Sequence, residues 1–497
     1  MAISSESLGV TKYQLYCVLA ASISSLNYGW NYGVTNLPGD VITKCAAGRQ
    51  HTILGLPSCL PTSDATWGLI IGAFPIGALA GAISCTHFAN AYGRKAVLMY
   101  SNVLSILGGL LFGVAVNAPM LLVARLLVGM AQGCANGTFT NYVAEISTPR
   151  ARNTLGSVIQ FSTCIGTMLS QLLALGLTVP PLWRVLFATT GFISIINMSL
   201  LVACVESPKW LVSKDRIDEA RDVLQRLRKS ADCTEEFKAL VDTVRAEMGP
   251  NAYTATIYDV VRGKTPDNLR HQLLIAVLGM AFQQLSGISG VSFFSTKLFN
   301  SITEVPTHYS TKPTLAQILT GMVSTVGSLA ALAGIAMAGY FGRRTLLIFS
   351  HMAMAISSIL ISVGSVKGYN ILAIAMVFVF YCVYIVGAGS IPWVFPAEMT
   401  PIYAVSAISA VSGSIAYASV FAIGMAFAPL MDILKGYTFL LFAATNLAAS
   451  LLFFFLLPET KDKRVTEMIR IHSVGVHNVM KRKYRSELYS EKDKEGL

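Results

Sequence analysis

Several glutamine side chains stand inside stretches of sequence that are uncharged and mostly apolar, and four of them are candidates for binding a polar solute. They are Gln160, Gln171, Gln283 and Gln284. An amide donates and accepts hydrogen bonds from one neutral group, which matches the hydroxyls of a sugar or polyol. Trp393 adds an aromatic face for the C–H side of a pyranose ring. The structural alternative is that these amides join neighbouring helices, where such bonds average about 0.6 kcal/mol.

A second set of residues concerns proton coupling. No Asp or Glu stands near the middle of a predicted span, and Arg125 is the only Lys or Arg within one. A proton-driven carrier needs a titratable group inside the membrane. Such groups are costly there, so those that occur usually have a function. This absence of a carboxylate favours facilitated diffusion over a proton-driven carrier.

The elements that position these residues follow from composition. Of the 497 residues, 54% are hydrophobic and 13% are charged. A helix needs about 20 apolar residues to span a bilayer. Twelve charge-free stretches meet this length, which predicts an all-α membrane protein with twelve transmembrane helices. They are 13–39, 66–92, 96–124, 126–144, 153–183, 185–205, 271–296, 313–342, 345–366, 368–397, 399–431 and 436–458.

The basic residues predict the orientation of the chain. With the N-terminus in the cytosol, the cytosolic segments hold 29 of the 37 Lys and Arg residues. This positive-inside pattern predicts two cytosolic termini. The net charge of +11 therefore sets topology and does not indicate a nucleic-acid partner. Cys45 and Cys59 share the first loop on the opposite, oxidising side, where a disulfide between them is possible.

The chain divides into two similar halves. We expect a cytosolic N-terminus (1–12), a six-helix half (13–205), a helical cytosolic linker (206–269), a second six-helix half (270–457) and a basic cytosolic tail (458–497). Three charged landmarks recur in order: the turns Gly93-Arg94-Lys95 and Gly342-Arg343-Arg344, then Glu145 and Glu398, then Glu206 and Glu459. Duplicated halves are typical of alternating-access carriers, which bind substrate between the halves near the bilayer midplane.

Several motifs in this order resemble the sugar porter branch of the major facilitator superfamily. The first span contains 27–36 (NYGWNYGVTN), the sixth ends in 206–211 (ESPKWL), and the seventh contains 283–288 (QQLSGI). Two Gly-Arg-Arg/Lys turns, Ile391-Pro392-Trp393 and 458–461 (PETK) complete the set. The pattern is closest to facilitative glucose transporters and their fungal relatives. The resemblance implies the major facilitator fold, with two pseudo-symmetric six-helix halves and short cytosolic helices between them.

The resemblance also implies roles for particular residues. Asn31 occupies the position at which proton symporters of this family place Asp. An amide cannot exchange a proton at physiological pH, which favours facilitated diffusion. Arg125 is expected to be buried and hydrogen-bonded toward Asn31. Phe293 and Phe294 are expected at the outer gate. Pairs of opposite charge are expected to connect the two halves across the cytosolic face while the outer face is open. The implied substrate-binding residues are Gln160, Gln171, Gln283, Gln284, Ser289, Ser324, Trp393 and Tyr417. The implied cytosolic gate contains Arg94, Glu145, Arg152, Glu206, Arg343, Arg344, Glu398 and Glu459.

The sequence departs from the family pattern mainly in the C-terminal half. Ser289 and Ser324 stand where the family usually has Asn, and Ala416-Tyr417 replaces an Asn-Trp pair. Three further departures are Gly339 for an acid, Ile385 for a Glu and Val405 for an Arg. A lost hydrogen bond to a sugar hydroxyl costs about 1 kcal/mol. The substrate can therefore differ from glucose, or bind more weakly.

The sequence also bears on other classes of function. The sequence contains no phosphate-binding loop, His-Glu-x-x-His motif or Cys-x-x-Cys pair. We therefore expect no enzyme activity, cofactor or metal. A non-transporting nutrient sensor and a proton-coupled carrier of a polyol or other metabolite are the alternatives to a hexose uniporter. We expect a functional monomer in the plasma membrane or the vacuolar membrane.

Overall fold

The chain was analysed as a computed structural model. It describes residues 10–45, 52–53, 55–148, 151, 155–156, 158–228, 233–248, 255–267, 269–303, 313–461, 467–469 and 471.

The N-terminal half contains six long helices. Short polar side chains begin several of them: Thr11 accepts from Gln14 N–H, and Asn117 accepts from Met120 N–H. Such caps satisfy N–H groups that have no partner within the helix. The long helices are α1 (Lys12–Gly33), α3 (Asp64–Tyr92), α4 (Arg94–Gly113), α5 (Ala118–Ile146), α6 (Val158–Leu177) and α7 (Trp183–Val202), with the short α2 (Gly39–Thr43) after α1.

Four short helices form the linker between the halves, as the sequence predicts. They are α8 (Pro208–Ser213), α9 (Ile217–Leu227), α10 (Thr234–Met248) and α11 (Ile257–Arg262). Helix α9 buries Ala220, Leu224 and Leu227 and exposes its charged side, so it is amphipathic.

The C-terminal half repeats the arrangement with two interrupted spans. The seventh span consists of α12 (Arg270–Leu285) and α13 (Ile288–Thr303), and the tenth of α16 (Asn370–Val386) and α17 (Ile391–Met399). The remaining helices are α14 (Leu315–Tyr340), α15 (Arg343–Lys367), α18 (Ile402–Leu434) and α19 (Thr438–Leu456).

The helices account for twelve membrane crossings. Ten segments of the described chain are long and apolar enough to span a membrane, and one of them, Tyr403–Leu456, contains both α18 and α19. Helix α1 is less apolar because its buried side carries Ser, Asn and Gln residues, and it supplies the twelfth crossing. The prediction of a twelve-helix, all-α membrane protein is confirmed.

The two ends of the bundle differ in what they carry. The linker face carries the helices α8 to α11 and the ends of α3, α5 and α17. The disulfide face carries a bond between Cys45 and Cys59, whose Cα atoms lie 5.3 Å apart. A two-stranded hairpin, β1 (Thr52–Ile53) and β2 (Leu56–Pro57), lies in the same loop. Arg184 donates to Pro57 O at 2.7 Å and Trp183 to Ser58 O at 2.9 Å, so the loop is held against α7.

Candidate functional site

A chain of hydrogen bonds joins the two halves inside the bundle. The Tyr32 and Ser289 hydroxyls lie 2.8 Å apart, and Ser289 donates to Gln284 Oε1 at 2.7 Å. Gln284 Nε2 then donates to Gln283 Oε1 at 3.1 Å. Because Ser289 uses its one proton on Gln284, Tyr32 is the donor to Ser289. A hydroxyl of the first span is thus connected through three side chains of the seventh.

The chain ends where the tenth span is interrupted. Gln283 Nε2 donates to Ala388 O at 2.7 Å and to Gly389 O at 2.8 Å. These carbonyls lie between α16 and α17, where helical hydrogen bonding stops. Irregular backbone at membrane depth needs such partners, and transporters use it to build binding sites. Gln283 and Gln284 are 0% and 6% exposed, so the amides are held in place within the bundle.

Helix α13 contains a second irregularity at Phe294, whose φ of −130° and ψ of 22° are not helical. Asn36, just after α1, contacts the backbone on either side. Its Nδ2 donates to Ser292 O at 2.8 Å and Ser295 Oγ at 2.6 Å, and its Oδ1 accepts from Thr296 N at 3.2 Å. Asn36 therefore connects the two halves toward the disulfide face.

The aromatic pair predicted at the outer gate lies beside this contact. Phe293 packs on Tyr32 with ring centroids 4.5 Å apart, and Phe294 stacks on Phe427 at 5.8 Å. Phe293 and Phe294 are 1% and 7% exposed. Phe293 and Asn36 therefore both join the first span to the seventh, on the disulfide side of the amide chain.

The other residues predicted to bind substrate are more dispersed. Gln160 contacts Cys164 of its own helix, and Ser324 donates to Gly321 O of its own helix at 2.9 Å. Gln171 is buried and its Oε1 has no hydrogen-bond partner. Tyr417 is buried near Tyr28 and Asn136 of the other half. Trp393 is 44% exposed. The hydrogen-bonded chain thus contains Gln283, Gln284 and Ser289 of the predicted set.

Asn31 and Arg125 are both fully buried. Arg125 Nη1 donates to the backbone carbonyl of Asn31 at 2.9 Å, and its guanidinium lies 4.9 Å from the ring centroid of Phe74. The Asn31 side chain donates to Asn27 O at 2.9 Å and accepts from Thr190 at 3.1 Å. The Asp and Glu residues in the described spanning helices lie at helix ends: Asp64, Glu145, Glu398 and Asp432.

On the linker face, charged residues of the N-terminal half hold three helix ends together. Arg94 Nη2 lies 2.9 Å from Glu145 Oε1, and Ser207 donates to the other Glu145 oxygen at 2.5 Å. Glu206 accepts from the backbone N–H groups of Arg94 and Lys95 at 2.8 and 3.1 Å. These N–H groups begin α4 and have no partner within the helix, so the carboxylate caps it.

Burial raises the pKa of the Glu206 carboxyl, while the N–H groups that surround it act in the opposite direction. Gly93, at φ 100°, makes this position possible, because a Cβ there would lie 2.4 Å from Glu206 Oε2.

The C-terminal half repeats this cluster. Arg343 Nε lies 3.2 Å from Glu398 Oε1, and Thr460 donates to Glu398 Oε2 at 2.7 Å. Glu459 lies at the start of α15, where a Cβ on Gly342 would clash with its carboxylate. The three landmarks that recur in the sequence are therefore parts of one repeated helix-end structure.

The described ion pairs among the residues predicted at the cytosolic gate each join residues of one half, Arg94 with Glu145 and Arg343 with Glu398. Arg344 donates to Phe454 O at 2.6 Å, also within its half. The reason is geometric, because the helix ends that carry these charges are neighbours within each six-helix unit. The pairs between the halves are expected in the form that is open at the disulfide face, so they stay a prediction. Arg152 lies outside the described residues.

The sequence interpretation did not single out Tyr32 and Asn36 as site residues. Both lie within the first-span motif at 27–36, so the motif itself was a signal. Their partners on the seventh span are about 260 residues away in sequence, at separations of 257 and 256–260.

The fold and this arrangement define a twelve-helix membrane carrier with a polar site between two similar halves. The family described as "Sugar (and other) transporter" matches residues 17–471. The chain belongs to this family, and its members are transporters rather than enzymes.

Relatives and solved structures agree with this assignment. The mouse facilitated glucose transporter member 4 is 31% identical, over 91% of this chain and 89% of its own length. Facilitated glucose transporter protein 1 of Caenorhabditis elegans is 27% identical, over 92% and 90%. The inward-open xylose transporter XylE of E. coli superposes with a TM-score of 0.73 at 18% identity, over 92% of this chain and all of that one. This last likeness concerns the fold.

Proposed function

We propose that this protein carries a hexose, or a polyhydroxylated solute of similar size, by facilitated diffusion. The observation that carries the proposal is the hydrogen-bonded chain from Tyr32 through Ser289 and Gln284 to Gln283. It lies between the halves and offers neutral groups that both donate and accept. The hydroxyls of a bound sugar can replace the hydrogen bonds that these side chains make to one another. The polar groups of the site therefore have partners when it is empty, and the occupied site carries no charge.

The surroundings of Arg125 support uniport. A proton-coupled cycle needs a group that changes charge within the membrane. Here the side chain next to Arg125 is the amide of Asn31, engaged with Asn27 and Thr190. The charge of Arg125 is stabilised by backbone carbonyl and aromatic contacts, and these partners do not titrate over the physiological range.

Alternating access follows from the placement of the contacts between halves. At the disulfide face, Asn36, Tyr32 and Phe293 join α1 to α13. On the linker face, the two charged clusters hold the ends of helices within each half. Each half can therefore move as a unit when the contacts at the disulfide face break, as expected for duplicated carriers.

We further propose that the linker face is cytosolic, and that the protein acts as a monomer without a nucleic-acid partner. The basic residues concentrate on the linker face and in the tail, and the disulfide lies opposite. The plasma membrane and the vacuolar membrane both fit this orientation.

The test is uptake of labelled glucose, fructose and a series of polyols into vesicles that contain the purified protein, with and without an imposed proton gradient. Saturable uptake that equilibrates and ignores the gradient is the expected result. Uphill accumulation driven by protons would overturn uniport. Folded, inserted protein that moves none of these solutes would favour the nutrient sensor instead.

A further inference from the structure

The seventh span is interrupted directly after the two site glutamines. Helix α12 ends at Leu285, and Gly287, at φ 96°, separates it from α13. The last carbonyls of an interrupted helix lack partners within it. Here α19 supplies them, since Thr445 donates to Leu285 O at 2.9 Å and Asn446 Nδ2 donates to Ser286 O at 3.1 Å.

The turn at this interruption also orients the side-chain amides of Gln283 and Gln284. Ser286 Oγ donates to Gln283 O at 2.6 Å, which links the turn to the residue that binds Ala388 and Gly389. Phe442 of α19 covers Gly287, where a Cβ would lie 2.6 Å from the ring. A shift of this turn by a fraction of an ångström would therefore move Gln283 and Gln284.

His351 on α15 orients Asn446. Its Nδ1 lies 2.9 Å from Asn446 Oδ1, and both residues are 0% exposed. An amide oxygen only accepts, so the proton is on Nδ1. This bond leaves the amide nitrogen of Asn446 to donate to Ser286 O and to Phe442 O at 2.8 Å. The ring packs 5.6 Å from Phe453, and Nε2 has no hydrogen-bond partner.

An imidazole buried in a membrane bundle is costly and indicates a function. Hydrogen bonds connect His351 on α15, through Asn446 on α19, to the turn beside the side chains of Gln283 and Gln284. We propose that His351 and Asn446 are positioning residues, which hold the Ser286–Gly287 turn so that Gln283 and Gln284 meet the solute. This inference rests on the proposed function for its effect on affinity.

The first experiment measures KM and maximal rate of glucose uptake in vesicles. We expect His351→Leu to raise KM between about threefold and tenfold, the equivalent of one lost hydrogen bond, with little change in maximal rate. His351→Asn keeps an N–H donor near the position of Nδ1 and should recover most of the affinity. Ser358→Ala, a buried polar change on the same helix, should leave KM unchanged.

A double variant tests whether His351 and Asn446 act through one route. His351→Leu leaves Asn446 Oδ1 without its donor, whereas Asn446→Leu removes the donor to Ser286 O directly. We expect KM in the double variant to rise no further than in Asn446→Leu alone, because both residues act through the same bond to Ser286 O. Additive increases in KM would overturn the positioning role.

Hydrogen–deuterium exchange provides a readout that does not require transport. The backbone N–H groups of the turn, in the segment 283–290, should exchange faster in His351→Leu and in the double variant than in Ser358→Ala. Unchanged exchange would overturn the proposal even if the wild type carries no glucose. Faster exchange together with inactive wild-type protein would instead mean that the turn is held as described and that the proposed function is wrong.

Discussion

At the scale of single residues, the site is a sequence of donors and acceptors with a defined direction. Tyr32 donates to Ser289, Ser289 to Gln284, Gln284 to Gln283, and Gln283 to two backbone carbonyls. Replacing one member leaves its neighbours without partners in a buried environment. An effect on substrate affinity should therefore accompany any break in the chain.

Gln284→Leu tests this reasoning. Leucine has a similar volume but neither donates nor accepts, so the solute and Ser289 both lose a partner. We expect KM for the transported hexose to rise roughly tenfold, since two hydrogen bonds contribute about 0.5–1.5 kcal/mol each. The measurement is initial uptake over a range of sugar concentrations.

The control for this variant is Thr325→Val on α14. The Thr325 hydroxyl donates to Gly321 O of its own helix at 2.8 Å, outside the amide chain. Its KM should equal that of the wild type. A wild-type KM in Gln284→Leu would show that this amide does not contact the solute.

Asn31→Asp tests the basis of uniport. The substitution places a titratable oxygen beside Arg125, in a site where the wild type has only neutral partners. We expect wild-type uptake to ignore an imposed proton gradient and the variant to become dependent on pH. Uptake by both proteins, measured at several pH values with the gradient collapsed or imposed, decides the matter. Proton dependence in the wild type would contradict the assignment.

At the scale of helices, the repeated clusters show how helix ends are held. In each half an Arg pairs with a Glu from another helix, and a hydroxyl donates to the second oxygen of that Glu. A second Glu lies at the start of the helix that begins with this Arg. The Arg94 and Glu145 side chains are 13% and 12% exposed, so the pair is largely desolvated. Removing one member of such a pair leaves a charge without compensation.

Arg94→Ala should therefore lower stability far more than a comparable change at an exposed pair. We expect a loss of about 3–5 kcal/mol in the free energy of unfolding. Arg216→Ala removes half of the exposed Arg216–Glu219 pair on the linker and should cost far less, because water screens that pair. Thermal unfolding of purified variants gives the comparison. Equal losses would mean that the Arg94 pair does not hold the helix ends.

At the scale of the whole molecule, the halves meet at the disulfide face through polar and charged contacts. Asn36 makes three hydrogen bonds to α13. Lys297, also on α13, lies 2.9 Å from Asp432 of the same half and 4.0 Å from Asp64 of the other. Contacts of this kind can break and re-form during a transport cycle, because water replaces the lost partners in the open form.

Asn36→Ala should shift the population toward a form open at the disulfide face. A loss of about 1–3 kcal/mol of coupling changes the ratio of the two forms by roughly 5- to 150-fold. Spin labels at Val116 and Tyr369, exposed positions in the two halves, report the separation by pulsed dipolar spectroscopy. The fraction of molecules with the longer distance between the two labels should increase.

Thr43→Ala is the matched control, since Thr43 donates only to Gly39 O within its own helix at 2.9 Å. Its distance distribution should match that of the wild type. An unchanged distribution in Asn36→Ala would show that other contacts hold this face closed.

Much of this protein is determined by sequence alone. The spans follow from local composition, because twenty apolar residues without charge have one stable environment. The division into halves follows from three repeated landmarks, and the site glutamines from polar groups placed where membranes tolerate few. The tertiary structure decided which partners these residues have. Asn36 and its α13 contacts, the pairing of Arg94 with Glu145 within one half, and the route from His351 to the Ser286 turn join residues far apart in sequence. Such contacts depend on how the helices pack. A side chain reaches only a few ångströms, so a small difference in helix packing changes which partner it contacts.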